Sequence, residues 1–237
     1  MNEFKIVKNI EEMGRVGASV IAEEIRKKPD LVLGLATGSS PVSLYDELIR
    51  LHREEGLDFS GVRTVNLDEY VGLPADHPQS YRAFMNAHLF DHINIDPENT
   101  HLPNGMADDL EEEWQRYDKL VNALGGIDVQ LLGIGPNGHI GFNEPSEEFS
   151  NHTLVVPLTH ETIEANARFF NTESEVPREA ITLDIRHIMH AQKIVLVATK
   201  NKEAILRQAL QGHITSLVPA SVLQLHNNVT VVFSEGE

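Results

Sequence analysis

The chain has 237 residues, with 19 basic and 36 acidic side chains and a formal net charge of -17 at pH 7. This charge repels nucleic acid and anionic membranes at long range, although screening over about 10 Å leaves room for a small anionic ligand. The chain contains no cysteine, which excludes disulfides, thiolate nucleophiles and cysteine-ligated zinc.

The apolar runs of the chain are too short to span a bilayer. The first residues, MNEFKIVKNIEEM, include early acidic residues and lack the apolar stretch of a signal peptide. We therefore expect a cytoplasmic protein with no membrane or nucleic-acid partner. The length is ordinary for one α/β domain, and no repeat, low-complexity tract or linker interrupts the sequence, so we predict a single domain over residues 1–237.

Helix-like and strand-like stretches alternate along the chain. In chain order, the predicted elements are a helix over 10–25, a strand over 31–36, a helix over 41–56, a strand over 63–67, helices over 81–93 and 108–124, strands over 127–135 and 152–158, a helix over 161–170, a strand over 193–199, a helix over 201–212 and a strand over 228–233. Buried strands separated by helices predict an α/β fold, with a mostly parallel sheet and helices on both of its faces.

Ligands in such folds bind beyond the carboxyl ends of the strands. Four polar segments follow predicted strands and are therefore the candidate ligand-binding segments. They are TGSSP at 37–41, LDEY at 67–70, GIGPNGHIGFNEP at 133–145 and TKNK at 199–202.

The TGSSP segment has the composition of an anion site at the start of a helix. Thr37, Ser39 and Ser40 supply hydroxyl groups, and Gly38 allows a ligand to approach the backbone closely. The alternative is that Ser40 only caps the helix ahead of Pro41. A cap does not need the preceding Thr-Gly-Ser, so we favour a phosphate site. No Gly-Lys-Ser/Thr follows, so the segment is not a Walker A loop.

The LDEY segment places two acidic residues, Asp68 and Glu69, at the end of a predicted strand. Adjacent residues of a strand face opposite sides, so at most one of the two can point into a cleft. A partly desolvated carboxylate there could act as a general base. The alternative is a solvated acidic loop, which is common in a chain with 36 acidic residues.

The segment at 133–145 matches the dinucleotide pattern G-x-G-x-x-G at Gly133, Gly135 and Gly138. That pattern should open a helix near the start of a fold, but Pro136 and the Asn-Glu-Pro at 143–145 disfavour a helix here. We therefore predict no nucleotide cofactor. The glycines instead favour a tight loop that presents His139 beside Glu144 as an acid-base pair. The alternative is a structural histidine in a glycine-rich turn.

Two histidine pairs have a spacing that metal ligands can have on a helix. They are His88 with His92 and His187 with His190, and neither has an obvious third ligand at a fixed spacing. We therefore predict no metal site. The chain also lacks the G-x-S-x-G sequence of common serine hydrolases.

Several ordered motifs together resemble the glucosamine-6-phosphate deaminase family. They are NLDEYVGLP, HPQSY, GIGPNGHIGFNEP, LTHET, ARFF and LQLH, and they cover the chain from about residue 30 to the last strand. The resemblance implies a Rossmann-like α/β fold and the conversion of glucosamine 6-phosphate and water to fructose 6-phosphate and ammonia. It also implies that the reaction needs no metal or nucleotide cofactor.

The resemblance assigns roles to residues of this sequence. It implies that Asp68 moves a proton between C2 and C1 of the sugar, that His139 opens the pyranose ring and that Glu144 orients His139. The phosphate of the small-molecule sugar phosphate would be bound by Thr37, Gly38, Ser39, Ser40, Arg168 and Lys202, and the backbone of Gly133 would contact the sugar.

The sequence departs from the family pattern in three places. Many members have an aspartate where this chain has Asn137, so we expect Asn137 in the catalytic group, although an amide there puts a full relay through His139 and Glu144 in doubt. The chain ends four residues after VVF, and no Lys or Arg occurs between Phe142 and Ala167, where longer members carry regulatory cations. We therefore expect a monomer without allosteric activation.

Two other families share this architecture. A 6-phosphogluconolactonase has a similar glycine-rich loop with a histidine but lacks the DEY motif. A sugar-phosphate sensor would carry an N-terminal DNA-binding region, whereas only one helix precedes the first predicted core strand here.

Overall fold

The computed structural model describes residues 3–170 and 172–236. The strands within these residues are β1 (Glu3–Val7), β2 (Val32–Leu35), β3 (Arg63–Asn66), β4 (Asp68–Tyr70), β5 (Thr100–His101), β6 (Val129–Leu132), β7 (Leu154–Pro157), β8 (Glu179–Thr182), β9 (Lys193–Thr199) and β10 (Val229–Ser234). The helices are α1 (Ile10–Lys27), α2 (Val42–Glu55), α3 (Tyr81–His88), α4 (Leu110–Ala123), α5 (His160–Ala167), α6 (Ile185–His190) and α7 (Glu203–Gln211). No helix among the described residues is both long enough and apolar enough to cross a membrane.

Seven strands form a parallel sheet in the order β1-β10-β9-β6-β2-β3-β5. Successive residues of β9 face opposite sides: Val195 and Val197 pack with α1 and α2, while Ile194 and Leu196 pack with α4, α6 and α7. The predicted α/β fold, with a mostly parallel sheet between two layers of helices, is therefore confirmed.

The ends of several predicted helices differ from the structure. The helix predicted over 81–93 leaves α-helical geometry after His88 and continues as a 3₁₀ turn at Phe90–His92. The helix predicted over 161–170 ends at Ala167. The helix predicted from residue 201 begins at Glu203, because Lys200–Lys202 forms a 3₁₀ turn that leads from β9 into α7.

A second, three-stranded antiparallel sheet has the order β4-β8-β7 and was not predicted. The predicted strand over 152–158 belongs to this sheet, and β8 had no prediction at all. Its first strand, β4, begins only two residues after β3 ends, so the chain passes directly from one sheet to the other. This transition carries the LDEY segment to the carboxyl edge of the parallel sheet.

Candidate active site

A cavity of about 180 Å³ lies beyond the carboxyl ends of β2, β3, β6 and β9. Most of the predicted site residues line it: Thr37, Gly38, Ser39, Ser40, Asp68, Gly133, His139, Arg168 and Lys202. A larger cavity of about 690 Å³ lies between β1 and α7, and its lining includes none of the predicted site residues. The four polar segments selected from the sequence therefore meet at one place.

The TGSSP segment turns between β2 and α2. Gly38 has a φ of 91°, in the left-handed region that disfavours side chains. Helix α2 has Pro41 as its N-cap and no side-chain cap hydrogen bond, so the alternative that Ser40 only caps the helix is wrong. Residues Thr37 through Ser40 thus lie on the cavity wall.

Two cationic side chains reach the same cavity from different elements. Arg168 follows the last residue of α5, and Lys202 lies in the 3₁₀ turn after β9. Burial lowers the pKa of Lys202, and the nearby Arg168 guanidinium lowers it further. Two cations held close together in a strongly acidic chain indicate an anion site, because their mutual repulsion is relieved when an anion binds.

His139 and Glu144 form the predicted pair. His139 Nδ1 lies 3.2 Å from Glu144 Oε2. The ring packs over the loop backbone, since a Cβ atom on Gly135 would lie 2.2 Å from His139 Nε2. A donor-acceptor contact at Nδ1 fixes the tautomer of a histidine and leaves Nε2 for the substrate. The glycine-rich segment contains no helix, in agreement with its interpretation as a loop that presents His139.

Glu144 is held by several side chains, and the longest of these contacts is from Thr159 Oγ1 to Oε1 at 3.4 Å. Thr162 Oγ1 donates to Oε1 at 2.5 Å, and Asn137 Nδ2 donates to Oε2 at 2.7 Å, beside the contact with His139. Burial alone raises the pKa of Glu144, but the hydrogen bonds from His139, Thr162 and Asn137 outweigh it and the net pKa lies below the ordinary value. The carboxylate is therefore kept ionised behind the histidine.

Asn137 was predicted as a catalytic residue, and the structure places it behind His139 with Glu144 rather than on the cavity wall. Its Oδ1 accepts from the backbone N–H of His139 at 3.2 Å. An ionised aspartate at this position would repel Glu144, whereas the amide donates to it. The pairing of His139 with Glu144 is thus stabilised here by a neutral neighbour.

Asp68 is the first residue of β4 and faces the cavity, whereas Glu69 faces away from it and accepts backbone hydrogen bonds from α3. The prediction that only one of the two carboxyl groups points into the cleft is confirmed. Burial raises the pKa of Asp68 to about 8, and the neighbouring charge of Glu69 contributes to the rise. Gly141, at a φ of 58°, lets the loop approach, since a Cβ there would lie 3.4 Å from Asp68 Oδ2.

Sequence analysis missed several residues of the cavity wall, among them Tyr81, Thr162 and Asn166. The two α5 residues are four positions apart and therefore lie on one face of the helix, a spacing that could have pointed to them. Tyr81 begins α3 and is the last residue of the HPQSY motif, but the sequence does not show where that helix packs.

One of the two histidine pairs has neighbours that spacing did not reveal. His187 Nδ1 lies 2.7 Å from Asp184 Oδ1, and Asp118 Oδ1 lies 3.6 Å from the other ring nitrogen, two carboxylates that the spacing of the histidines did not indicate. His190 is not part of the group. Arg186 already contacts both acids, at 3.1 Å to Asp118 and 3.5 Å to Asp184, so the group is an ion-pair cluster.

Comparison with known proteins agrees with this geometry. The family model described as "Glucosamine-6-phosphate isomerases/6-phosphogluconolactonase" matches residues 8–232. The glucosamine-6-phosphate deaminase of Clostridium perfringens (strain SM101 / Type A) is 52% identical over 231 residues, which cover 97% of this chain and 96% of the relative. The deaminase of Geobacillus sp. (strain WCH70) is 52% identical over 225 residues, covering 94% and 90%. The chain belongs to the glucosamine-6-phosphate deaminase family.

Solved structures separate the family from its neighbours. A monomeric glucosamine-6-phosphate deaminase is 46% identical and superimposes with a TM-score of 0.96 over 98% of this chain and 97% of its own. The 6-phosphogluconolactonase of Trypanosoma brucei has a TM-score of 0.77 over 99% and 97% of the two chains, but is only 20% identical. The lactonase therefore shares the fold, while the deaminase family is shown by sequence as well.

Replacing Asp68 with asparagine is expected to stabilise the fold, more so at alkaline than at acidic pH. An unfolded aspartate ionises near pH 3.9, whereas burial keeps the pKa of folded Asp68 at about 8. The stability that this carboxyl group contributes is therefore complete below about pH 4 and is lost as the pH rises to about 8.

Thermal unfolding of wild type and Asp68→Asn at pH 5 and pH 9 measures this effect. The gain in Tm should be larger at pH 9. The control is Asp76→Asn, which changes an exposed carboxylate and should give the same small difference at both pH values. If the gain in Tm for Asp68→Asn at pH 9 were equal to or smaller than the gain at pH 5, the burial of an uncompensated charge would be contradicted.

Proposed function

We propose that this chain converts glucosamine 6-phosphate and water to fructose 6-phosphate and ammonia. The observation that carries the proposal is a single cavity in a member of this family. Asp68, His139, Arg168 and Lys202 line the cavity, and Glu144 pairs with His139 from behind. The reaction requires a base, a reversible proton donor and an anchor for the phosphate, and the cavity supplies a group for each.

The phosphate is proposed to bind Arg168, Lys202 and the segment from Thr37 to Ser40, all of which line the cavity. Charge-assisted hydrogen bonds from two cations hold a dianion firmly. This contact lies away from the carbon atoms that react, so its binding energy serves to position them. The backbone of Gly133 lies on the same wall and is proposed to contact the sugar.

Ring opening is proposed for His139. With Nδ1 held by Glu144, the neutral imidazole presents a lone pair at Nε2 that can take the proton of the C1 hydroxyl and return it to the ring oxygen. The C1–O5 bond then breaks and an open-chain aldehyde forms. An ionised Glu144 stabilises the imidazolium that exists between the two transfers.

Isomerisation is proposed for Asp68. Its carboxylate removes the C2 proton of the open-chain aldehyde while the C1 oxygen gains a proton, giving an enolamine. The protonated Asp68 then returns the first proton to C1 while the amino nitrogen loses one, so that no net proton is added. The resulting imine at C2 adds water and releases ammonia, which leaves the ketone of fructose 6-phosphate. A carboxyl group whose pKa is raised to about 8 is a stronger base toward a C–H bond than a solvated aspartate, once it is ionised.

The first test is an assay of the purified chain with two substrates. We expect release of ammonia from glucosamine 6-phosphate and no comparable hydrolysis of 6-phosphogluconolactone, since a lactonase has no need of a base that moves a proton between carbons. Asp68→Asn should lower kcat by about 10²–10⁴-fold while the substrate still binds. Lactone hydrolysis without ammonia release, or near-normal kcat in Asp68→Asn, would refute the proposal.

The phosphate anchor is tested with Lys202→Ala and Arg168→Ala. Each variant should raise KM for glucosamine 6-phosphate by roughly 10–100-fold, because a lost charge-assisted hydrogen bond costs about 1.5–3 kcal/mol. Lys200→Ala is the matched control, since Lys200 lies in the same 3₁₀ turn but pairs with Glu203 at 2.6 Å. Unchanged KM in both variants would place the phosphate elsewhere.

We further propose that the chain acts in the cytoplasm as a monomer. Support comes from the 46% identical deaminase that is itself described as monomeric and from the lack of basic residues between Phe142 and Ala167. Analytical ultracentrifugation at micromolar concentration should give a mass near 26.4 kDa. A hexameric mass would contradict the proposal.

A further inference from the structure

Glu69 is a buried carboxyl group next to the proposed base, and the steps of the reaction do not use it. It is only 3% exposed and does not line the cavity. We propose that Glu69 is a positioning residue for the reaction. Its side chain joins the strand of Asp68 to the first turn of α3 and so holds Tyr81 in the cavity wall beside the base. This inference rests on the proposed function.

Three backbone N–H groups donate to the Glu69 carboxyl group. Oε1 accepts from Tyr70 and Tyr81, and Oε2 accepts from Arg82, each at 2.9 Å. Tyr81 and Arg82 are the first two residues of α3, where backbone N–H groups have no partner within the helix. The third such group, of Ala83, donates to Ser80 Oγ at 3.0 Å. Glu69 thus caps the helix from a strand of another layer.

The helix start that Glu69 holds brings an aromatic side chain to the reacting groups. Tyr81 lines the cavity with Asp68. Its ring stacks on Phe142 of the His139 loop, with an interplanar angle of 13° and ring centroids 6.0 Å apart. Its ring centroid also lies 4.6 Å from that of Tyr70 in β4. A shift of the first turn of α3 would therefore disturb both the wall beside the base and the packing of the loop.

The charge of Glu69 also acts on the base. Burial is the main reason that the pKa of Asp68 rises, and Glu69 is the second. The other ionisable groups on the cavity wall are His139, Tyr81, Arg168 and Lys202. A helix cap without any influence on the reaction would be the simpler role for Glu69, and these two roles differ in what they do to the pH dependence.

Glu69→Gln separates the two roles. Glutamine offers one acceptor oxygen and turns an amide toward at least one backbone N–H group, so the first turn of α3 loosens. We expect kcat for ammonia release on the alkaline plateau to fall by about 10–100-fold, with KM within about threefold of wild type. The acid limb of kcat/KM, which reports groups of the free enzyme, should move to lower pH because a negative neighbour of Asp68 is gone.

Ser80→Ala is the matched control. It removes the other side-chain cap of the same helix without changing β4 or any charge, so kcat should stay within about threefold of wild type and the acid limb should not move. Glu69→Asp, which keeps the charge on a shorter side chain, should lower kcat and leave the acid limb in place. Glu69→Asp also serves as the test if Glu69→Gln does not fold.

Exchange of the backbone amide hydrogens gives a readout that does not depend on turnover. The amides of Tyr81 and Arg82 should lose protection in Glu69→Gln and keep it in Ser80→Ala. If wild type releases no ammonia, the proposed function fails, and exchange still shows whether Glu69 holds the helix start. Near-wild-type kcat in Glu69→Gln, an equal loss in Ser80→Ala, an unmoved acid limb or unchanged amide protection would each overturn the proposal.

Discussion

The backbone of Leu67 joins the two sheets, and the geometry of the site depends on this junction. Its N–H donates to the carbonyl of Leu35 at the end of β2, and its carbonyl accepts from Leu183 just after β8. The residue before it ends β3 of the parallel sheet, and the residue after it, Asp68, begins β4 of the antiparallel sheet. The carboxyl group of Asp68 is thereby held at the edge where the parallel strands end. Among residues 3–170 and 172–236, no hydrogen bond or ion pair compensates its charge.

The small sheet also anchors the loop that carries the histidine. Phe142 N–H donates to Thr182 Oγ1 at 3.1 Å, and Asn143 Nδ2 donates to the carbonyl of Leu183 at 2.7 Å. Since Thr182 is the register partner of Asp68, the base and the His139 loop are attached to the same short strand. The relative position of the two proton-transfer groups is therefore set by the main-chain pairing of β4 with β8 together with the hydrogen bonds that attach the His139 loop to the end of β8.

Much of the parallel sheet was predictable, because buried strands and amphipathic helices leave long periodic signals in the sequence. The segments after β2, β3, β6 and β9 could be named for the same reason. The antiparallel sheet could not, since β4, β7 and β8 have only three or four residues each, and β4 pairs with a strand far along the chain, Asp68 lying opposite Thr182. Segments this short carry no reliable alternation, and nothing local encodes such distant pairing. The roles of Glu69 and Tyr81 depend on that packing and were missed with it.

The pKa values of two carboxyl groups near one cavity are shifted in opposite directions, and hydrogen-bond donors account for the difference. Glu144 is bonded by His139, Thr162 and Asn137, so its pKa lies below the ordinary value despite burial. Asp68 has burial and a neighbouring negative charge, so its pKa rises to about 8. Separated pKa values allow separate tasks: an ionised Glu144 can stabilise the imidazolium of His139, while Asp68 can take up and give back a proton. Because donors around Asp68 would lower its basicity, the unfavourable burial of this carboxyl group is the physical condition for its use as a base.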